Sequence, residues 1–262
     1  MSKIEKKVTR LERKKIDRER LRRIMDRDLL ETVEEVFDRP TLLTIYNLAN
    51  SGIIGIMHGV VSAGKEARVY WAETSKGEDL AVKIFLVMTA EFRHSILKYI
   101  EGDPRFQEIR RHPRKLRYLW CRKEFRNLKL AHEAGVRVPK PIIAKNNVLV
   151  MEFINYPEHR GVPAPLLKEA PPKDPEKALN TILDYMYRLY HKAELVHADL
   201  SEYNIMNRNE ELILIDWGSA VKKGHPLFEE FLLRDIRNIL RYFSKLGIEV
   251  PQLKDVYEWI IS

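Results

Sequence analysis

The chain has 262 residues, of which 45% are hydrophobic and 32% are charged, and its formal net charge is +8. It is long enough to bury a sizeable core and too apolar for a disordered chain. No segment approaches the roughly 18 uncharged apolar residues that a membrane span needs. A single cysteine, Cys121, excludes an internal disulfide framework and a cysteine-based zinc site. We therefore expect a cytoplasmic protein with no membrane partner.

The positive charge is concentrated in two segments. Residues 1–28 carry twelve Lys/Arg and six Asp/Glu, and residues 105–126 carry nine Lys/Arg and two Asp/Glu. The rest of the chain is net acidic, so these segments indicate contact with a polyanion such as RNA. The alternative is that both are solvated helix faces. Only two glutamines occur among many Lys, Arg and Glu, which favours a thermophilic, archaeal source.

In chain order, the pattern of residues 1–40 predicts a charged helical extension. The pattern of residues 41–154 predicts an N-terminal lobe with an irregular, flexible loop over about 87–115 and a helix over 115–135. The strands predicted for this lobe are 53–61, 67–73, 79–86 and 147–154. Residues 155–262 predict a mainly helical C-terminal lobe, with a proline-rich loop over 155–175, a helix over 175–194, a strand over 211–216 and two final helices. This order predicts a two-lobed α+β protein, and a cleft between lobes is a favoured ligand site.

A glycine loop follows the first strand. Residues 59–65 match G-x-x-x-x-G-K, which is the Walker A pattern. However, the next residue is Glu66 rather than Ser or Thr, and a strand follows where a Walker A loop needs a helix N-terminus. The alternative is a loop between antiparallel strands that covers phosphates from above, with Ser62, Ala63, Gly64 and Lys65 lining it. A plain tight hairpin is also compatible with this segment.

The most specific motif lies in the C-terminal lobe. His197, Asp199 and Asn204 have H-x-D-x-x-x-x-N spacing, and Asp216 follows in an apolar strand that ends in D-x-G. Phosphoryl transfer depends on positioning and on charge neutralisation by Mg²⁺. Asp199 is therefore the candidate base or hydroxyl-orienting residue, Asn204 and Asp216 are candidate metal ligands, and His197 is expected to brace the loop.

Matching elements occur upstream. The sequence Ala-Val-Lys-Ile at the end of the third strand places Lys83 to contact the α- and β-phosphates of ATP, and Glu124 on the long helix is placed to pair with Lys83. Met151 precedes the connection between lobes, where backbone groups of Glu152 and Ile154 would bond an adenine edge. The ordered set predicts a protein-kinase-like fold with an N-lobe of antiparallel sheet plus helix and a trimmed helical C-lobe.

These residues resemble the RIO atypical kinases, specifically their type-1 branch. The matching stretches are 62–70, 102–106, Trp120 with 123–128, 196–204, and Ile215 with Asp216. Two departures are Ala63, where the family often has Thr, and the Trp217-Gly218-Ser219 run after Asp216. The resemblance implies use of ATP with Mg²⁺ (Mn²⁺ is possible), serine autophosphorylation, and a role in maturation of the small ribosomal subunit. It also implies that Asp216 can receive phosphate as an acyl-phosphate intermediate.

Three functions remain open from the sequence. The first is a serine/threonine kinase that phosphorylates itself, with Ser95 as one candidate acceptor. The second is an ATP-gated assembly factor that binds precursors of the small ribosomal subunit, both rRNA and ribosomal proteins. The third is a small-molecule kinase, although only 44 residues follow Gly218, which leaves little room for a substrate lobe.

Overall fold

The computed structural model describes residues 24–103, 105–106 and 113–262. Residues 1–23 of the extension predicted over 1–40 lie outside this part, as do residue 104 and residues 107–112 of the second basic segment. The helices are α1 (Arg27–Val36), α2 (Arg39–Asn50), α3 (Ala90–Ile100), α4 (Pro113–Glu133), α5 (Pro175–Arg188), which continues into a π-helical turn (Leu189–Ala193), α6 (Phe228–Lys245) and α7 (Leu253–Ile261). The strands are β1 (Ile56–Ala63), β2 (Ala67–Glu73), β3 (Asp79–Phe85), β4 (Pro141–Lys145), β5 (Val148–Glu152), β6 (Asn155–Tyr156), β7 (His159–Pro163), β8 (Leu195–Val196), β9 (Ile205–Arg208), β10 (Glu211–Leu214) and β11 (Val221–Lys222).

The N-terminal lobe is built on a five-stranded antiparallel sheet. Its strand order is β1-β2-β3-β5-β4, so the central strand β3 lies between β2 and β5. The sequence predicts four of these strands and none between the helix over 115–135 and the strand over 147–154. The structure corrects this point, because β4 begins at Pro141. An edge strand tolerates proline at its first residue, where no ladder hydrogen bond from its nitrogen is needed.

Two N-terminal helices cover one face of this sheet. Asp26 caps α1 by accepting from Leu29 N–H at 2.8 Å, and Asp38 caps α2, so the helical stretch divides at Asp38. Leu30 and Val33 of α1 are buried together with the sheet residues. The described part of the predicted extension therefore belongs to the core of the N-terminal lobe.

Helix α3 replaces part of the predicted irregular loop over 87–115. Thr89 caps it by accepting from Phe92 N–H at 3.2 Å. Its buried residues, Ile96, Tyr99 and Ile100, recur at the spacing of one helix face. The buried positions all lie in the C-terminal half of the helix, after the polar run at 93–95, and the loop prediction is wrong for Ala90–Ile100.

The C-terminal lobe is mainly helical and carries short hairpins. Its core is formed by α5, α6 and α7 around the small sheets β8-β11 and β9-β10. The predicted loop over 155–175 contains the hairpin β6-β7, whose Arg160 returns to the N-terminal lobe and bonds Asp79 with Nε at 2.9 Å from Oδ1. Among the residues described, no helix combines the length and apolarity needed to cross a membrane.

Candidate active site

A cleft of about 900 Å³ lies between the sheet and the C-terminal lobe. It gathers residues from β1, β3, α4, β5 and the segments after β8 and β10, which are far apart in sequence. The predicted site residues in its lining are Ser62, Gly64, Lys65, Lys83, Glu124, Met151, Glu152, Ile154, Asp199, Asn204 and Asp216. Ala63 is exposed at the end of β1 and is not part of the lining.

Lys83 stands at the centre of the cleft. It lies on β3, where it is paired with Val69 of β2 and Leu149 of β5, so the two neighbouring strands fix its position. Its Nζ donates to both carboxylate oxygens of Glu124, at 2.7 and 2.9 Å, and to Asp216 Oδ1 at 3.0 Å. Burial acts to lower the pKa of Lys83, but the Asp216 and Glu124 carboxylates overcome it and raise that pKa. Lys83 is therefore a fixed cation.

Asp216 presents its carboxylate to the cleft. It follows β10 and has a left-handed backbone with φ 63°. Its side chain is 53% exposed although both flanking segments are packed. Lys83 lowers the pKa of Asp216, which keeps the carboxylate ionised at neutral pH. A non-glycine residue in this conformation costs free energy, and such residues cluster at functional sites.

Asp199 and Asn204 are joined within one loop. Asn204 Nδ2 donates to the Asp199 carbonyl oxygen at 2.7 Å and to its Oδ2 at 3.2 Å. Burial first, and then the negative charge of Asp216, raise the pKa of Asp199, while the positive charge of Arg234 opposes the rise. A carboxylate with a raised pKa is a better proton acceptor than an ordinary one.

Helix α6 holds this loop from behind. The buried carboxylate of Asp235 accepts from Ala198 N–H at 2.7 Å and from Leu200 N–H at 3.0 Å. Arg234 donates to the Ala198 carbonyl oxygen. Ala198 itself has φ 64°, a conformation that needs outside support. No motif in the sequence points to Asp235 or Arg234 as supports of this loop.

His197 is placed as the predicted brace. It is buried, its Nε2 lies 3.0 Å from the Ile215 carbonyl oxygen, and its ring packs edge-on against Trp217 at 4.7 Å between centroids. Burial lowers the pKa of His197, so the ring is neutral and Nε2 carries the donated proton. The side chain thus ties the Asp199 loop to the segment that ends in Asp216.

The glycine loop connects two antiparallel strands, with Ala63 paired to Arg68. This geometry lacks the helix N-terminus of a Walker A loop and agrees with the covering-loop alternative. Gly64 N–H donates to the Ala67 carbonyl oxygen at 3.0 Å, so in this conformation it closes the turn instead of facing a phosphate.

At the connection between lobes, Glu152 has a structural side chain. Its N–H donates to the Lys140 carbonyl oxygen at 2.9 Å, and its carboxylate binds Arg137 with both oxygens at 2.8 Å. The Ile154 carbonyl oxygen accepts from Ala164 N–H at 2.8 Å. The predicted adenine contacts therefore rest on the Glu152 carbonyl oxygen and the Ile154 N–H.

Sequence reasoning missed several residues that line the cleft. Glu66 faces Asp216 and Asp199, and burial together with these carboxylates raises the pKa of Glu66. Helix α3 contributes Phe92, Ser95, Lys98 and Tyr99. The amphipathic spacing of α3 was the signal that could have placed them there.

The donor atoms present fit a hard divalent cation. Because Asn204 Nδ2 is committed to Asp199, the Asn204 amide oxygen is the atom left for a ligand. Asp216 is ionised and half exposed on the same cleft. Carboxylate and amide oxygens are the ligands that Mg²⁺ prefers in proteins.

Comparison with known proteins identifies close relatives. The family model for the RIO domain matches residues 68–256. The "RIO-type serine/threonine-protein kinase Rio1" of Haloferax volcanii is 42% identical over 238 residues, which cover 91% of this chain and 80% of the relative. The protein of the same name from Methanocaldococcus jannaschii is 38% identical, over 98% of this chain and 88% of its own. These names agree with the expected type-1 branch and archaeal source.

A solved structure shares the fold. The Rio2 kinase of Chaetomium thermophilum, solved as an ADP/Mg²⁺-phosphoaspartate complex, superposes with a TM-score of 0.63 at 23% identity. The match covers 83% of this chain and 65% of the Rio2 chain, which is less than two thirds of the latter. The likeness confirms the predicted two-lobed, kinase-like α+β architecture.

Proposed function

Because this chain belongs to the RIO family of serine/threonine-protein kinases, we propose that it binds ATP in the cleft and transfers the γ-phosphoryl group to a hydroxyl. The acceptor is a serine or threonine, on its own chain or on another protein. The observation that carries this proposal is the Lys83 ammonium held between Glu124 and Asp216. It places a fixed positive charge beside the carboxylate that would hold the metal.

Lys83 neutralises charge on the α- and β-phosphates, and Glu124 keeps it in place. Asn204 and Asp216 would hold Mg²⁺, with Mn²⁺ as a possible substitute. Bound Mg²⁺ supplies charge neutralisation on the phosphate oxygens where charge develops. The glycine loop covers the phosphates, and the Glu152 carbonyl oxygen and Ile154 N–H receive the adenine edge.

In the transfer step, Asp199 orients the acceptor hydroxyl and takes its proton. The hydroxyl oxygen forms a bond to the γ-phosphorus, the bond from that phosphorus to the β–γ bridging oxygen breaks, and ADP leaves with the electron pair. The raised pKa of Asp199 supports its role as the proton acceptor.

A second candidate reaction is ATP hydrolysis through Asp216. The exposed and ionised carboxylate favours it, because an Asp216 oxygen is itself a potential nucleophile toward the γ-phosphorus. ADP would leave, and water would then attack the acyl phosphate to release inorganic phosphate and restore the carboxylate. The phosphoaspartate in the Rio2 kinase complex of Chaetomium thermophilum is a precedent in a protein of this fold.

We place the partner of the protein among precursors of the small ribosomal subunit. Four exposed cations recur along one face of α4: Lys115, Arg122, Arg126 and Lys129. Such a row contacts backbone phosphates without reading base sequence. Replacing these four by Gln should weaken binding to precursor particles and flatten its dependence on salt concentration. An unchanged salt slope would remove this face from the proposed interface.

The test of the reaction uses γ-labelled ATP with Mg²⁺ and the purified protein. Label is counted as free phosphate, acid-stable phosphoprotein and base-labile acyl phosphate, for the wild type and for Asp216→Asn, with and without precursor particles. Stable phosphoserine that passes to an added protein indicates a protein kinase. Free phosphate formed through a labile species that the Asp216 variant loses indicates an ATPase. No labelled product from the wild type would contradict both reactions.

A further inference from the structure

The segment that follows Asp216 is bonded to helix α4 through its backbone. We call residues 216–220 the metal loop. Asn127 Nδ2 donates to the carbonyl oxygens of Trp217 and Ala220, each at 2.8 Å. Lys123 Nζ donates to the Gly218 carbonyl oxygen at 2.9 Å and also to that of Ala220. Two side chains of one helix thus hold three of the four carbonyl groups that come after Asp216.

Packing leaves the metal loop little room to shift. Trp217 is buried, and its indole N–H donates to the Leu214 carbonyl oxygen at 3.2 Å. A Cβ on Gly218 would lie 2.9 Å from the ring of Trp120, which is also on α4. The backbone of the metal loop is therefore in direct contact with the helix, so a shift of α4 would displace the loop.

The same contacts extend away from the cleft to the segment after α3. Arg105 Nη1 donates to Asn127 Oδ1 at 2.8 Å. Because the amide oxygen of Asn127 is used by Arg105, its amide nitrogen must face the metal loop. Asp103 in turn fixes Arg105 through a two-point ion pair, with distances of 2.9 and 2.7 Å. Asp103 itself is buried.

Side chains of helix α4 thereby hold Asp216 at two points, at its carboxylate and at the backbone that follows it. Glu124 holds Lys83, and Lys83 binds the Asp216 carboxylate. The adjacent residue, Lys123, binds the backbone that follows Asp216. Burial lowers the pKa of Lys123 to about 7. A buried amino group of this kind is costly for stability in either protonation state, whereas an apolar residue would pack at that position without the desolvation cost.

We propose that Asp103, Arg105, Asn127 and Lys123 form a positioning network that fixes the metal loop and sets the direction in which Asp216 offers its carboxylate. None of these four residues is among those that line the cleft, so they act through Asp216. The inference rests on the proposed function, because it concerns the proposed metal ligand. It makes the segment after α3 a part of the phosphate-binding apparatus.

The first experiment uses the full chain without nucleotide or metal. Amide hydrogen exchange of residues 217–221 is compared for the wild type, Arg105→Gln, Arg105→Lys and Lys123→Met. The Arg105 side chain is partly exposed and does not itself contact the metal loop, so we expect its variants to fold even where Lys123→Met does not. We expect faster exchange in the metal loop for both Arg105 variants, since lysine cannot reproduce the planar fork that reaches Asp103 and Asn127 together. Arg237→Gln, at an exposed arginine of α6, is the matched control.

The second measurement is the Mg²⁺ concentration that half-maximally enhances binding of a fluorescent ATP analogue. We expect about a tenfold increase in Arg105→Gln, as found for residues that orient metal ligands, with binding in the absence of Mg²⁺ unchanged. The Tm should fall, because the buried Asp103 carboxylate loses its ion-pair partner, so binding is measured well below the Tm of the variant. Wild-type exchange and wild-type Mg²⁺ dependence in both Arg105 variants would overturn the network. So would a uniform rise in exchange along α4, which indicates a general packing role. If the wild type bound no nucleotide, the proposed function would fail while the exchange result still decided the network.

Discussion

The two walls of the cleft are built differently. The C-terminal wall, comprising residues 197–204 and the metal loop, is held by buried side chains that bond its backbone, such as Asp235 and Asn127. The N-terminal wall is the glycine loop, which is exposed at residues 62–65 and belongs to a strand end whose register shifts at two places. Groups that perform chemistry need fixed geometry, whereas a nucleotide must enter and leave. The molecule therefore combines a rigid catalytic wall with an adaptable cover.

The largest effect is expected from removing the base on the rigid wall. Asp199→Asn keeps the shape of the side chain and its place beside Asn204 but cannot accept a proton. We expect kcat to fall by about 10²–10⁴-fold, with ATP binding and Tm close to the wild type. Glu202→Gln in the same loop serves as the control, because Glu202 is not a lining residue. Full phosphoryl transfer by Asp199→Asn would remove Asp199 from its assigned role.

The next largest effect is expected from loosening the rigid wall without touching the cleft. Asp235→Asn can accept from one of the two N–H groups but not from both, which leaves a buried donor unsatisfied. We expect a loss of about 1–3 kcal/mol in the free energy of unfolding and a decrease in kcat of up to about 10²-fold from misplacement of Asp199. Denaturant unfolding and steady-state kinetics check this. Asp255→Asn on the exposed side of α7 is the control, and a variant that lost stability but kept kcat would show that the wall need not be rigid.

A smaller effect is expected in the pH dependence. Asp199 must be ionised to act as the base, and Arg234 lowers the pKa of Asp199. Arg234→Gln removes this positive charge, so the pKa of Asp199 rises further. The rate should then begin to fall at a higher pH as the solution is acidified. The measurement is the acid limb of kcat for the variant, the wild type and Arg237→Gln. An acid limb that stayed in place, or moved to lower pH, would contradict the assignment.

The difference between the walls also explains what the sequence can predict. The motif residues Asp199, Asn204 and Asp216, with the bracing His197, lie within 20 positions of one another, so their spacing alone identified them. Asp235 lies 37 positions after Ala198 and has no local signature. Its contact exists only because α6 packs behind the loop, and a single sequence does not show that packing.

The secondary-structure elements also divide into those that a local sequence pattern predicts and those that it does not. Strand β2 is predicted at the bounds found in the structure, because its alternating pattern lies between two turns. Helix α3 was missed because its buried positions all lie in its C-terminal half, after the polar run at 93–95. Likewise Lys123 and Arg105 are two of many basic residues between 105 and 126, and only the structure shows them within a network. Residues in a local motif were therefore predictable, whereas the side chains from distant segments that hold this motif in place were not.

The smallest effect is expected on the adaptable cover, and a pair of glycines tests the comparison directly. In Gly64→Ala the new Cβ would lie 3.2 Å from the Ala67 carbonyl oxygen, at an exposed turn that can yield by a few tenths of an ångström. We expect the KM for ATP to rise by only about 2–3-fold, since a difference of ~0.5 kcal/mol is typical of an exposed change, with kcat and Tm unchanged. Gly218→Ala places the same methyl 2.9 Å from the buried Trp120 ring. There we expect a loss of about 1–3 kcal/mol in stability together with a decrease in kcat. Equal effects of the two substitutions would mean that both walls are equally constrained, and the division between a rigid wall and a yielding cover would then have to be abandoned.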